Sequence, residues 1–285
     1  MSAARLDHLR SSQNADGGWG YFPGKASWFE PTAYAVLALH GLPQDRQRIE
    51  KAAACLLSWQ RPDGGFPAAA RLPESSWVTA LAVTVMTVMA HTGRERGRAV
   101  AWLLDQKGSE KAWFTRIASR MGLLDPGRPI DVTGWPWLQG TSSWVEPTAQ
   151  ALVALKIAGV AHARVAEGEA QLLGVRCRDG GWNYGSPRAL QIDLPSYAET
   201  TAVALLGLQG VDRKRIAGAL EQARRLAVAD VSRMARAWLG IALRNWDLPP
   251  PLPPAERLPA GGDILVTALE TLAAGENWKL LGVRK

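Results

Sequence analysis

The feature that most limits what this chain can fold into is a tetrad that returns at a fixed spacing. Asp16-Gly17-Gly18-Trp19, Asp63-Gly64-Gly65-Phe66 and Asp179-Gly180-Gly181-Trp182 share one pattern, and the first two stand 47 residues apart. In those two a Thr-Ala pair follows the Asp by 16 residues, at Thr32-Ala33 and Thr79-Ala80, and in the third Thr201-Ala202 follows by 22. Gln13 and Gln60 precede the first two by three residues. Self-similarity at a period of about 20–50 residues marks stacked supersecondary units, each of which buries its apolar face only against its neighbours.

Each unit reads as two helices. Residues 45–60, DRQRIEKAAACLLSWQ, gather Ile49, Ala52, Ala53, Leu56 and Leu57 on one face with charge opposite, the pattern of a helix exposed on one side. The Gly pair after it supplies the left-handed conformation that a helix end needs. Residues 77–91 are apolar nearly all round, as in a helix covered on both flanks. The alternation continues, with amphipathic outer helices near 94–106, 164–177 and 212–227 and apolar inner ones near 29–40, 146–158 and 199–209. Helices near 230–245 and 264–275 extend the set, and no strand pattern appears. The chain is expected to be all-α, one domain over residues 1–285.

Two stretches break the period. Residues 108–142 form an insertion of about half a repeat. Its first part sets Trp113, Phe114, Ile117, Met121 and Leu124 at helical spacing, as a packed helix or a membrane-surface one. Its second part, DPGRPIDVTGWPWLQGTS, reads as a lid or cavity wall. The other break, residues 248–262, is a stiff connector of polyproline character inside the domain.

Thirteen of the aromatic residues are Trp, which suits both stapled repeats and an aromatic-lined cavity. The net charge of +7 is not gathered into a Lys/Arg run, so a nucleic-acid partner is not expected, and a mild attraction to anionic membranes or diphosphates is left open. Cys55 and Cys177 lie outside any Cys-x-x-Cys context, which excludes a disulfide framework. With no apolar segment of signal-peptide length at the N-terminus and none of membrane-spanning length, the expected location is the cytoplasm.

At the Gln-x-x-Asp-Gly-Gly-Trp blocks the chain resembles the terpenoid-cyclase and protein-prenyltransferase superfamily, and the blocks are similar to the QW repeats of squalene–hopene cyclases. The resemblance covers nearly the whole length and implies an α/α toroid, here of five to six helical hairpins. Closure agrees with the pattern, because the last helix, DILVTALETLAAG, still carries the inner-helix signature Thr267-Ala268 where an open array would end on a polar cap. The family's cyclases hold their catalytic acid in an Asp-x-Asp-Asp-Thr-Ala sequence. Aligned on Thr-Ala, Glu30, Glu146 and Glu199 fall at the middle aspartate, and the flanking aspartates are missing in all three copies. The cyclases are also about twice this length, with two toroids, so a second toroid as a dimer or partner chain is left open. The prenyltransferases bind zinc through Asp, Cys and His, but no Asp-x-Cys triplet occurs here, and neither zinc nor another cofactor is expected.

The glutamates have two readings. Ser27, Ser143 and Ser196 each precede one by three residues, the spacing of a capping box. Pro31 and Pro147, at home at the first helical position, would instead make Glu30 and Glu146 the caps. In the catalytic reading a carboxylic acid in a water-poor aromatic cavity stays protonated, gives its proton to an alkene or epoxide, and leaves a cation to aromatic faces. Glu146 is the lead candidate, with Glu30, Glu199 and Asp131 as further carboxylates. Trp28, Trp77, Trp135, Trp137, Trp144, Tyr34 and Tyr197 are the candidate cavity aromatics. The expected activity is cyclisation of an isoprenoid, class II terpene cyclase-like. The alternatives are a non-catalytic toroid binding an isoprenoid, lipid or protein, and an α/α-barrel carbohydrate-active enzyme.

Overall fold

Near-complete burial of alternate helices requires each to have neighbours on every side, and a closed ring supplies them. The computed structural model describes residues 3–111, 117, 121, 131–189, 191–229, 231–248 and 262–283. Residues 249–261 of the connector and most of the insertion helix lie outside the described residues; Ile117 and Met121 are described and exposed.

Among the described residues the chain forms α1 (Ala3–Ser11), α2 (Phe29–Leu39), α3 (Arg46–Leu57), α4 (Val78–Val88), α5 (Arg94–Asp105) and α6 (Val145–Ile157). It continues through α7 (Ala163–Gly174), α8 (Ala198–Gly207), α9 (Ala217–Val228), α10 (Arg233–Asn245) and α11 (Ile264–Ala274). Helices α2, α4, α6, α8, α10 and α11 each pack on the next, and α11 returns to α2, so six inner helices close a ring. Outer helices α3, α5, α7 and α9 each pack on the inner helix before them, and α1 packs on α11, which ties the two ends of the chain together. The architecture is an all-α toroid. One two-residue hairpin, Arg188–Ala189 with Ile192–Asp193, lengthens the loop after the third tetrad and accounts for its wider spacing to Thr-Ala.

The tetrad knits these layers. Trp19 Nε1 donates to Leu9 O on outer helix α1 at 2.7 Å, and its backbone N–H donates to Thr32 Oγ1 on inner helix α2 at 2.8 Å. Trp182 repeats both bonds, to Leu172 O and Thr201 Oγ1. Gln13 and Gln60 bond their own Gly carbonyl and then the first turn of the next outer helix, at Arg48 O and Glu95 O. Gly64, at φ +95, lies so close to Arg98 O that a Cβ would stand 2.8 Å from it, and Gly65 leaves room for Ser75, whose hydroxyl donates to Asp63. No other residue fits both positions.

The insertion conceals a fourth copy. Trp135 Nε1 donates to Leu103 O at 2.7 Å and its N–H to Thr148 Oγ1 at 2.9 Å, matching Trp19 bond for bond. The Asp of the motif is replaced by Glu110, which accepts from Ser143 N and Ser143 Oγ. Buried Arg164 spans the gap, donating to Gln106 O on one side and to Thr133 O and Gly134 O on the other, with its guanidinium 4.2 Å from the Trp135 ring.

Candidate functional site

Inner helices run parallel in this topology, so their N-termini gather at one end of the ring and form a mouth. Four of the six starts are fixed by a neighbouring loop. Ile264 N, Phe29 N, Trp77 N and Val145 N donate to Tyr21 O, Ala68 O, Trp137 O and Tyr184 O. Every acceptor lies two residues past a motif aromatic. These bonds satisfy amides that a helix N-terminus leaves unpaired.

The capping readings of the glutamates are overturned. The N-caps are Trp28, Trp144 and Tyr197, all in extended backbone with no side-chain cap bond. Ser27 and Ser196 bond the tetrad residues Asp16 and Asp179, and Ser143 bonds Glu110. Pro31 and Pro147 occupy the third helical position, whose N–H has no partner within a helix in any case. Glu30, Glu146 and Glu199 therefore stand second in their helices, with their carboxylates available to the mouth.

Their surroundings differ. Tyr21 Oη donates to Glu30 Oε2 at 2.6 Å, and Ser232 Oγ donates to Glu199 Oε1 at 2.8 Å. Glu146 has no hydrogen-bond partner among the described residues. Burial, then the charges of Glu30 and Glu199, push its carboxyl up to about 8. Burial raises Glu30 as well, opposed by the Tyr21 bond and reinforced by Asp263, the N-cap of α11. Tyr21 is raised by burial and by Glu30, which keeps it a donor at neutral pH.

One helical turn below, the axis is filled. Tyr34 on α2 accepts from Gln150 Nε2 on α6 at 2.9 Å, and its ring meets Trp238 of α10 edge-on at 5.4 Å. These are alternate helices of the ring, so their side chains can meet only across its centre. Tyr34 is fully buried, and its hydroxyl is raised by burial and by Glu30 and Glu146. Tyr34, Gln150 and Trp238 thus meet one turn, about 5 Å, below the level of the carboxylates.

The rim is aromatic. Trp28 lies 5.8 Å from Tyr21 with the Arg71 guanidinium 5.3 Å from its ring, Trp77 meets Trp137 edge-on at 5.0 Å, and Tyr184 stacks obliquely on Tyr197 at 5.4 Å. Trp77 holds in α4 the register that Glu30 holds in α2, two residues before Thr79. Trp144, Tyr184 and Tyr197 are exposed to solvent. Trp135 sits apart from the rim, fully engaged in its staple. Asp131 is exposed beside Thr133, which is pinned to outer helix α7 through Arg164 and Glu167, while the charges acting on Glu146 are those of Glu30 and Glu199. Tyr21, Tyr184, Gln150, Trp238 and Asp263 were not anticipated from sequence. The first two shared a signal, their place two residues past a motif Trp; the others meet the site only through ring closure. No helix among the described residues is long and apolar enough to cross a membrane.

No protein-family profile matches the chain. Over 63 residues it is 44% identical to drimenyl diphosphate synthase from Streptomyces showdoensis, a stretch that covers 21% of this chain and only 12% of that enzyme. The type II terpene cyclase MstE from Scytonema superposes over 97% of this chain and 96% of its own with a TM-score of 0.61 at 15% identity. A variant of MstE has been solved with geranylgeranyl dihydroxybenzoate as substrate. An inactive variant of an α-1,6-mannanase from Salegentibacter, in complex with α-1,6-mannotriose, superposes over 98% of both chains with a TM-score of 0.64 at 8% identity. Fold likeness thus reaches two chemistries, while local sequence likeness reaches a drimenyl diphosphate synthase. The chain has the fold of a terpenoid-cyclase-like α/α toroid.

Proposed function

We propose that the chain binds an isoprenoid at the carboxylate mouth and protonates it from Glu146, in the manner of a class II terpene cyclase. The observation that carries this reading is Glu146 itself, a half-buried carboxyl without a hydrogen-bond partner among the described residues, held up to about 8. At neutral pH most of that group is the neutral acid, the form that can act as a general acid. Its proton adds to one carbon of an alkene, or to an epoxide oxygen, and the cation left behind meets the faces of Trp28, Trp77, Trp137, Trp144 and Tyr197. Ring closure and loss of a proton then return a neutral product. Tyr21–Glu30 holds a second carboxyl beside the first, and Arg71 places positive charge at the rim for a diphosphate. The carbohydrate reading is disfavoured. The mannanase is inactivated by replacing two adjacent aspartates, and this chain has no two adjacent acidic residues anywhere.

The filled axis favours a second reading, a toroid that binds an apolar ligand at its mouth without turnover. Incubation with farnesyl diphosphate, geranylgeranyl diphosphate and squalene, with product analysis by mass spectrometry, separates the two. Cyclised product from the wild type, reduced at least about 100-fold in Glu146→Gln and retained in Glu199→Gln, supports the acid. Saturable binding of the same compounds without product from any of the three proteins supports the binder and sinks the cyclase reading.

A further inference from the structure

The four motif aromatics are not identical, and the odd one coincides with a hole. Trp19, Trp135 and Trp182 fill the junction between an outer helix and two inner ones and bond its carbonyl through Nε1. In the second copy the position is Phe66, which keeps the backbone bond to Thr79 Oγ1 at 2.9 Å but has no ring N–H and a smaller ring. Here a cavity of about 240 Å³ opens between α2, α3 and α4. Phe29 and Phe66, in edge contact at 5.4 Å, close one end; small Ala53 and Ala82 leave the gap between the walls; Met86 lines it; and His91 stands at the other end.

Its shape follows from the helix that lines it. From Ala82 to Val88 the wall runs six residues along α4, about 9 Å at the helical rise, and His91 N then bonds back to Met86 O. Apolar cavities of about 150 Å³ take up benzene, so by volume this one holds about ten carbons, and over that length they fit only as a single chain. Met86 can repack around such a guest. Except at His91 the wall offers no hydrogen-bonding side chain, and His91, paired at 3.2 Å with Glu95 Oε2, is half-exposed. A guest would therefore leave its polar end at His91 and its hydrocarbon inside.

We propose that this slot in the toroid wall is a binding site for an acyclic hydrocarbon chain of about ten carbons bearing a polar end, separate from the carboxylate mouth. Its origin is the Phe in place of Trp at position 66.

Calorimetric titration with geraniol, decan-1-ol and the compact adamantan-1-ol tests it. The wild type binds a linear alcohol at one site and adamantan-1-ol at least about tenfold more weakly. Tighter binding of geraniol marks an isoprenoid guest, and tighter binding of decan-1-ol a fatty one. Phe66→Trp restores the missing staple, raises Tm and weakens binding at least about tenfold; Ala82→Leu fills the slot from the other wall and does the same to binding. Glu146→Gln leaves binding unchanged, which keeps the slot distinct from the mouth whether or not the protein proves to be a cyclase. Absence of binding by the wild type, equal binding of the compact alcohol, or undiminished binding in both filled variants would overturn the assignment.

Discussion

The first sector of the ring, at Trp19, and the sector third in chain order, at Trp135, are built on the same motif and end with opposite carboxylates. In the first, Tyr21 lies two residues past Trp19 and gives its hydroxyl to Glu30 at 2.6 Å. In the third, the residue two past Trp135 is Trp137, whose ring goes to Trp77 and whose N–H is not offered to Glu146. Both glutamates occupy the same helical position, so helix geometry does not distinguish them. The loop residue decides whether the half-buried carboxyl has a hydrogen-bond partner among the described residues. An unsatisfied buried carboxylate is expensive, and the cheaper state is the protonated one. In the proposed reading, this is how a repeat meant for architecture acquires one position with a different chemistry.

Both sectors rest on the same indole staple. Replacing Trp19 or Trp135 with Ala removes a fully buried indole and its bond to an outer helix, and each is expected to cost roughly 3–5 kcal/mol, read by chemical denaturation. Equal losses confirm that the insertion carries a true copy of the motif. A loss below about 1 kcal/mol at Trp135 would mean that the third sector is held by other contacts.

A smaller effect separates the two carboxyls. The folded-state value for Glu146, about 8, lies above its ordinary 4.5, so between those values the folded chain binds more protons than the unfolded one. The stability this carboxyl contributes is complete below about 4.5 and is lost as pH rises through about 8. Glu146→Gln removes that loss. Relative to wild type it should gain roughly 2–3 kcal/mol between pH 6 and pH 9, with a smaller gain for Glu30→Gln, whose removal also forfeits the Tyr21 bond. Denaturation at the two pH values checks the order, and equal gains would erase the distinction between the sectors.

Much of the scaffold was legible in the sequence because it is local and periodic. The amphipathic face of α3, the near-uniform burial of α2 and α4, and the staples of Trp19 and Trp182 follow from composition at fixed spacing. The fourth copy was hidden because its acid, Glu110, precedes Gly134 by 24 residues instead of adjoining it. The serines misled for a related reason. Ser-x-x-Glu is a local pattern, but Ser27 answers to Asp16 on the loop before it, and local spacing does not reveal which partner wins. The glutamates were found by register. Their differences were not, because Tyr21, Asp263 and Gln150 reach the site from separate loops and helices that meet only when the ring closes.

In the proposed reading Glu146 is a neutral acid in the folded protein while Glu30 and Glu199 are engaged by Tyr21 and Ser232. Carbon-13 NMR titration of glutamate side-chain carboxyls, with the signal assigned by its disappearance in Glu146→Gln, measures this directly. A midpoint near 8 is predicted for Glu146. A midpoint near 4.5, the ordinary value for a solvated glutamate, would contradict it.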